Sequence, residues 1–192
     1  MLLAAAVLAG GASRRMGTDK ASIEVGGVAL YARVTAAAAT VADPVVLVAP
    51  AGHPAAGLGP PVLNDPGEGP LAAVATALAG LDTPRVLVLA ADHPDLHPAL
   101  LRLLASVEAP AVVCRRAGRL EPMVAVYERA PALAVARAML AVPDGDRSVR
   151  GLLTALGARV LEEPEWRVAD PDGRSFEDLD DPAALAARRA LG

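Results

Sequence analysis

Aromatic side chains make up only 2% of this 192-residue chain, with one Trp, two Tyr and one Phe, although 54% of its residues are hydrophobic. Its core must therefore be built from Ala, Val and Leu. Cysteine occurs once, at Cys114, so no internal disulfide can form, and a single Cys outside a His/Cys cluster gives no zinc pattern. No apolar run reaches the roughly 20 residues that a membrane span needs. The apolar start, 1–12, lacks the basic leading segment of a secretion signal, because Arg14 and Arg15 follow the apolar stretch. A cytoplasmic location without membrane attachment is expected. The net charge of −4 excludes a general nucleic-acid binder, which needs a basic surface to displace counterions. A local site for a small anion stays open. The length predicts one domain over 1–192.

Lysine is the scarcest basic residue: of 18, only Lys20 is not arginine. It closes the run Leu8-Ala-Gly-Gly-Ala-Ser-Arg-Arg-Met-Gly-Thr-Asp-Lys20, directly after an apolar segment. A lysine at the end of a glycine-rich loop is a compact charge on a flexible stem, suited to phosphate.

Hydrophobic patterning gives the frame. Apolar runs at 2–8, 45–48, 61–64, 85–91, 111–114, 123–127 and 158–161 read as strands, with a short extended piece at 23–25 turned by Gly26-Gly27. Helical spacing covers 28–41, 70–81, 98–107, 132–140, 148–156 and 182–190; Pro70, Pro98 and Pro182 suit first helical positions. Strands alternating with helices predict an α/β sheet, mostly parallel, with helices on both faces. Ligands of such sheets sit at the carboxyl ends of strands. That rule gathers Gly10, Gly11, Asp65 and Asp92 on one rim.

The glycine loop fits neither common phosphate pattern. Gly17 is followed by Thr18, so there is no G-x-x-x-x-G-K-[ST], and Gly10-Gly11-Ala-Ser does not supply G-x-G-x-x-G. Adjacent glycines still let backbone N–H groups approach an anion closely, with Arg15 and Lys20 adding charge. A bare Gly-Gly would read as an ordinary turn. The whole string, however, resembles the L-A-G-G-x-S-x-R-M-G-x-D-K-A signature of the molybdenum cofactor guanylyltransferases, matching at Leu8, Ala9, Gly10, Gly11, Ser13, Arg15, Met16, Gly17, Asp19, Lys20 and Ala21.

The resemblance continues along most of the chain. Asp65 with Gly69-Pro70-Leu71-Ala72 resembles the family's D-x(n)-G-P-L-A-G block, and Ala91-Asp92-His93-Pro94 its C-D-x-P segment, with Ala91 for the usual Cys. Phe176 to Pro182 resembles a C-terminal block rich in Asn or Asp. The family implies a three-layer Rossmann-like nucleotidyltransferase fold. It implies nucleotide contacts from Leu8, Ala9, Gly10, Gly11, Lys20, Asp65 and Asp92, and Mg²⁺ on Asp92. Asp180 is a second carboxylate that could lie near the metal, or cap a helix beginning at Pro182; both readings stand equally. Without the resemblance, Asp92 alone would read as a cap of the loop or of the helix that follows.

Glu121-Pro-Met-Val-Ala-Val-Tyr127 resembles the family's P-L-x-A-L-Y strand, and Asp146-Arg147-Ser148-Val-Arg150 its R-S-x-R helix start. Arginines at a helix start can hold an anion, so Arg147, Ser148 and Arg150 are candidate acceptor contacts, against the plainer reading of a capped, solvated helix end. His53, His93 and His97 carry no assigned role, and Tyr31 and Trp166 read as packing residues. The implied reaction moves GMP from GTP to molybdenum-molybdopterin, with transient contact to molybdenum-insertion proteins. The alternatives are a cytidylyltransferase on the same cofactor, whose signature reads L-A-A-G, and a related nucleotide-binding protein. Gly10, lacking a Cβ, would leave room for guanine's edge.

Overall fold

The computed structural model describes residues 2–10, 23–55 and 59–179. Strand β1, Leu3–Leu8, is buried along its whole length. Parallel neighbours on both sides explain this: β4, Val45–Ala49, on one edge and β6, Arg85–Ala90, on the other. A parallel strand covered on both faces reads as a continuous apolar run rather than an alternation. Outward lie β5, Val62–Asn64, then beyond β6 the strands β8, Arg119–Glu128, β7, Ala111–Arg116, and β9, Arg159–Leu161. The sheet order is β5-β4-β1-β6-β8-β7-β9. Only β8 runs against the rest, pairing antiparallel with β6 and β7.

Side chains of β1 divide between the faces. Leu3, Ala5 and Val7 join one core with α1, Leu30–Ala39, and α3, Pro98–Ser106. Ala4, Ala6 and Leu8 join a second core with α2, Pro70–Gly80, α4, Arg129–Ala141, and α5, Val149–Ala155. The result is the expected three-layer α/β sandwich. Fully buried leucines such as Leu87, Leu89 and Leu100 anchor it, each costing about 2–5 kcal/mol if cut to alanine. At the end of α3 the Arg85 guanidinium donates to the carbonyls of Ala105 and Val107 at 2.6 Å each, satisfying helix-end acceptors.

Two expected elements change, and one helix is new. The helix predicted over 28–41 begins only at Leu30, because Val28–Ala29 (β3) pairs with Glu24–Val25 (β2) in a hairpin. Its turn has positive φ at both Gly26 (+60°) and Gly27 (+74°), a conformation glycine adopts without strain. Strand β8 is ten residues long rather than 123–127 and forms a hairpin with β7 through Ala117 and Gly118, both at positive φ. Pro122 hides this extension in the sequence, since proline is unusual inside a strand. A short helix α6, Glu163–Trp166, had no apolar signal; it is set by a capping box in which Glu162 and Glu165 satisfy each other's backbone N–H. The helix expected at 182–190 lies outside the described residues. No helix among the described residues is long and apolar enough to cross a membrane.

Cys114 is fully buried on β7. Burial, then the nearby Glu121, Asp170 and Glu165 carboxylates, pushes its thiol up to about 12. A raised thiol pKa means the fold disfavours thiolate. The stability tied to it is full below the ordinary value of 9.0 and is lost as pH climbs from there toward about 12. At pH 8 the native protein should leave Ellman's reagent unreacted, and unfolding in urea should release one thiol equivalent; rapid reaction of the native protein would contradict the burial.

Candidate functional site

Strand exits on one rim of the sheet are tied together just beyond their ladders. Ala91 N–H donates to Leu8 C=O at 3.0 Å, Ala9 N–H to Val48 C=O at 2.8 Å, and Asp65 N–H to Ala49 C=O at 2.9 Å. The chain leaving β1 is thus held between the exits of β4 and β6, and Asp65 is fixed where β5 ends. These are the carboxyl ends of parallel strands, the rim the topology rule selects.

Asp65 reaches back across this rim. Its Oδ1 accepts from Gly67 N–H at 2.9 Å. Its Oδ2 lies 1.7 Å from where a Cβ on Gly10 would stand, and its Cγ 2.7 Å away. The Asp65 carboxylate thus stands where a side chain on Gly10 would be. The space beside Gly10, expected to admit a guanine edge, holds this carboxylate in the structure.

Asp92 follows Ala91 at the exit of β6, its side chain 29% exposed. It does not cap α3. That role belongs to His97, whose ring accepts from Ala99 N–H at 3.3 Å. The reading of Asp92 as a cap of α3 is thereby removed. Among the described residues, no three His, Cys, Asp or Glu side chains are placed to hold a metal together. One or two carboxylates completed by phosphate oxygens and waters is the usual donor set for Mg²⁺, and Asp92 fits it. Gly11, Arg15, Lys20 and Asp180 lie outside the described residues, so the rim is described through Leu8, Ala9, Gly10, Asp65 and Asp92.

The acceptor-side expectation is largely redirected. Ser148 Oγ accepts from Gly151 N–H at 2.9 Å, and Asp146 Oδ1 accepts from Ser148 N–H at 2.8 Å. Asp146 Oδ2 lies 2.0 Å from where a Cβ on Gly151 would stand. The start of α5 is therefore met by the chain's own carboxylate, which the Ser148 hydroxyl and then the Ser148 N–H hold below its ordinary pKa range. Ser148 is a helix cap. Arg147 turns back to the Leu140 carbonyl at 3.4 Å. Of the three, Arg150 alone has an electrostatic link to the rim, through Glu121.

Glu121 is the group that sequence reasoning left without a role. The pairing of Leu89 with Val124 puts the start of β8 beside the exit of β6. Burial raises the Glu121 carboxyl above its usual range, opposed by His93, Arg116 and Arg150 and assisted by Asp178. The tyrosine and tryptophan are packing residues, as expected: Tyr31 meets His53 edge-on at 5.6 Å, and Trp166 meets Phe176 edge-on at 4.9 Å.

A mostly parallel sheet between two layers of helices, with a glycine and two aspartates at its carboxyl rim, defines an α/β protein with a candidate ligand site at that rim. Comparison with known proteins narrows the class. The family described as MobA-like NTP transferase domain matches residues 5–165. A probable molybdenum cofactor guanylyltransferase of Chloroflexus aggregans is 35% identical over 96% of this chain and 92% of its own length. The molybdenum cofactor guanylyltransferase of Rhodobacter capsulatus is 42% identical over 58% of this chain and 61% of its own. Molybdopterin-guanine dinucleotide biosynthesis protein A of Archaeoglobus fulgidus shares the fold with a TM-score of 0.80 at 24% identity, covering 98% of this chain and 97% of that one. The chain belongs to the MobA-like NTP transferase family, a family of nucleotidyltransferases.

The Gly10–Asp65 contact makes a coupled prediction. Gly10→Ala should destabilise the protein by about 1–3 kcal/mol through overpacking, whereas in an Asp65→Ala background it should cost little. Urea unfolding of the two single variants and the double variant measures this coupling; additive effects would show that the carboxylate is not what requires glycine.

Proposed function

We propose that this chain transfers GMP from GTP to molybdenum-molybdopterin, giving molybdopterin guanine dinucleotide and pyrophosphate. The observation that carries the reading is the rim at Gly10, Asp65 and Asp92, in a chain 35% identical over 96% of its length to a protein named as a probable molybdenum cofactor guanylyltransferase.

In the proposed step an oxygen of the acceptor's terminal phosphate attacks the α-phosphorus of GTP. The bond to the bridging oxygen of the β-phosphate breaks, and pyrophosphate leaves with that electron pair. The attacking phosphate is already anionic, so no general base is required. The protein's task is then positioning and charge neutralisation. Gly10 brings backbone close to the nucleotide, with Asp65 packed behind it. Asp92 is assigned to hold Mg²⁺, which when bound supplies positive charge to triphosphate oxygens. Lys20 and Arg15, in the sequence after Gly10, are assigned to the triphosphate and the departing pyrophosphate. Arg150, whose charge acts on the Glu121 carboxyl, is assigned as the acceptor-side cation.

The test is turnover with each nucleoside triphosphate separately, using molybdopterin acceptor and scoring the dinucleotide product. GTP should be used at least tenfold better than CTP; equal or greater use of CTP would overturn the guanine reading. Lys20→Arg, a charge-conserving change, should lower turnover about tenfold or more, because a planar guanidinium is not a substitute for a compact ammonium in a tight loop. Wild-type turnover in that variant would remove Lys20 from the triphosphate.

A further inference from the structure

One stretch of chain, 170–179, holds the loop from Asp92 to His97. Leu179 N–H donates to the Asp92 carbonyl at 3.1 Å. Ser175 Oγ accepts from His97 N–H at 2.8 Å. The Ser175 carbonyl lies 3.2 Å from His93 Nδ1. The stretch is itself fixed: Ser175 N–H donates to Asp170 Oδ2 at 3.0 Å, Arg116 reaches the Phe176 carbonyl at 3.2 Å, and Leu179 packs with Val25 and Leu30. His93 is 6% exposed and Ser175 0%, so their polar atoms must be matched inside the protein.

A carbonyl oxygen only accepts, so the geometry assigns the proton of this contact to His93 Nδ1. The far side of the ring then faces Asp92, with Nε2 3.7 Å from Oδ1. That separation is too long for a hydrogen bond. It is a contact distance, at which the edge of the ring lies against the Asp92 carboxylate.

We infer that His93 is a positioning residue for Asp92. Its ring, anchored on the Ser175 carbonyl, sets the direction of the carboxylate and through it the site's hold on a divalent cation. The inference rests on the proposed reading of Asp92 as the cation ligand. Partners that orient a metal-holding side chain commonly change metal affinity by about 10–100-fold.

The test is a titration of Mn²⁺, read by electron paramagnetic resonance, into protein saturated with a nonhydrolysable GTP analogue. Wild type is compared with His93→Asn, His93→Gln and His93→Leu. The Asn amide nitrogen stands where Nδ1 does and keeps the bond to Ser175, but leaves nothing where Nε2 meets Asp92; the Gln amide stands where Nε2 does without the bond to Ser175, and Leu fills the volume with no donor. All three should lose about tenfold or more in Mn²⁺ affinity, because each lacks either the anchor or the edge that meets Asp92. A ring that only filled space would leave Leu and Gln close to wild type, with Asn worst because of the void it leaves. Leu or Gln binding within about threefold of wild type overturns the inference. If Leu fails to fold, Gln decides alone. If wild type adds nothing to the Mn²⁺ binding of the free analogue, the cation reading of Asp92 fails and this inference falls with it; equal binding by wild type and all variants overturns only the role of His93.

Discussion

The parallel pairing of β1 with β6 is the constraint on which the rest depends. It runs from Leu3 opposite Arg85 to Leu8 opposite Ala90 and is extended by the Ala91 N–H bond to the Leu8 carbonyl. Because both strands end together, Ala9-Gly10 after β1 and Ala91-Asp92 after β6 leave the sheet side by side. Neither motif alone is a site. A glycine pair can be any turn, and an aspartate at a strand end can be any cap. Their common exit, fixed by backbone hydrogen bonds between buried strands, gives each its chemical meaning.

Around that exit the chain spends its own side chains on support. The Asp65 carboxylate fills the place of a side chain on Gly10, so the identities at two distant positions are coupled. The segment 170–179 braces the Asp92 loop from below, while Trp166 and Phe176 pack it onto the sheet. The core meanwhile needs few large residues. Alanines along β1 and on α2 let helices approach the sheet closely, which is how a chain with 2% aromatics still buries two cores. Support of a small polar site by well-packed, rigid elements matters because phosphoryl transfer depends on position more than on covalent chemistry.

The fold was legible wherever a local signal matched the final structure. Pro70 and Pro98 marked the starts of α2 and α3, and continuous apolar runs marked β1, β4 and β6. The sequence could not reveal β8's full length, since Pro122 argues against a strand that only its pairing with β7 explains. Helix α6 escaped because it is held by a capping box rather than an apolar stripe. At the site, Gly10, Asp65 and Asp92 were legible as motifs. The reason for Gly10 was not, because nothing local says which side chain will fill the space beside it. His93 was missed for the same kind of reason: its partner is a backbone carbonyl far along the chain, and a carbonyl has no residue identity to read. Ser148 was over-read, since a helix start with arginines looks the same whether its donors face solvent or are covered by a preceding Asp146.

The central claim is that the joint exit of β1 and β6 is the place where a metal-bound nucleotide is held. The most direct measurement is calorimetric titration of GTP, with and without Mg²⁺, into wild type and Asp92→Asn. The account predicts that Mg²⁺ tightens GTP binding to the wild type by about tenfold or more, and that Asp92→Asn loses this gain while still binding the metal-free nucleotide. An unchanged Mg²⁺ gain in Asp92→Asn, in a protein of native stability, would contradict it.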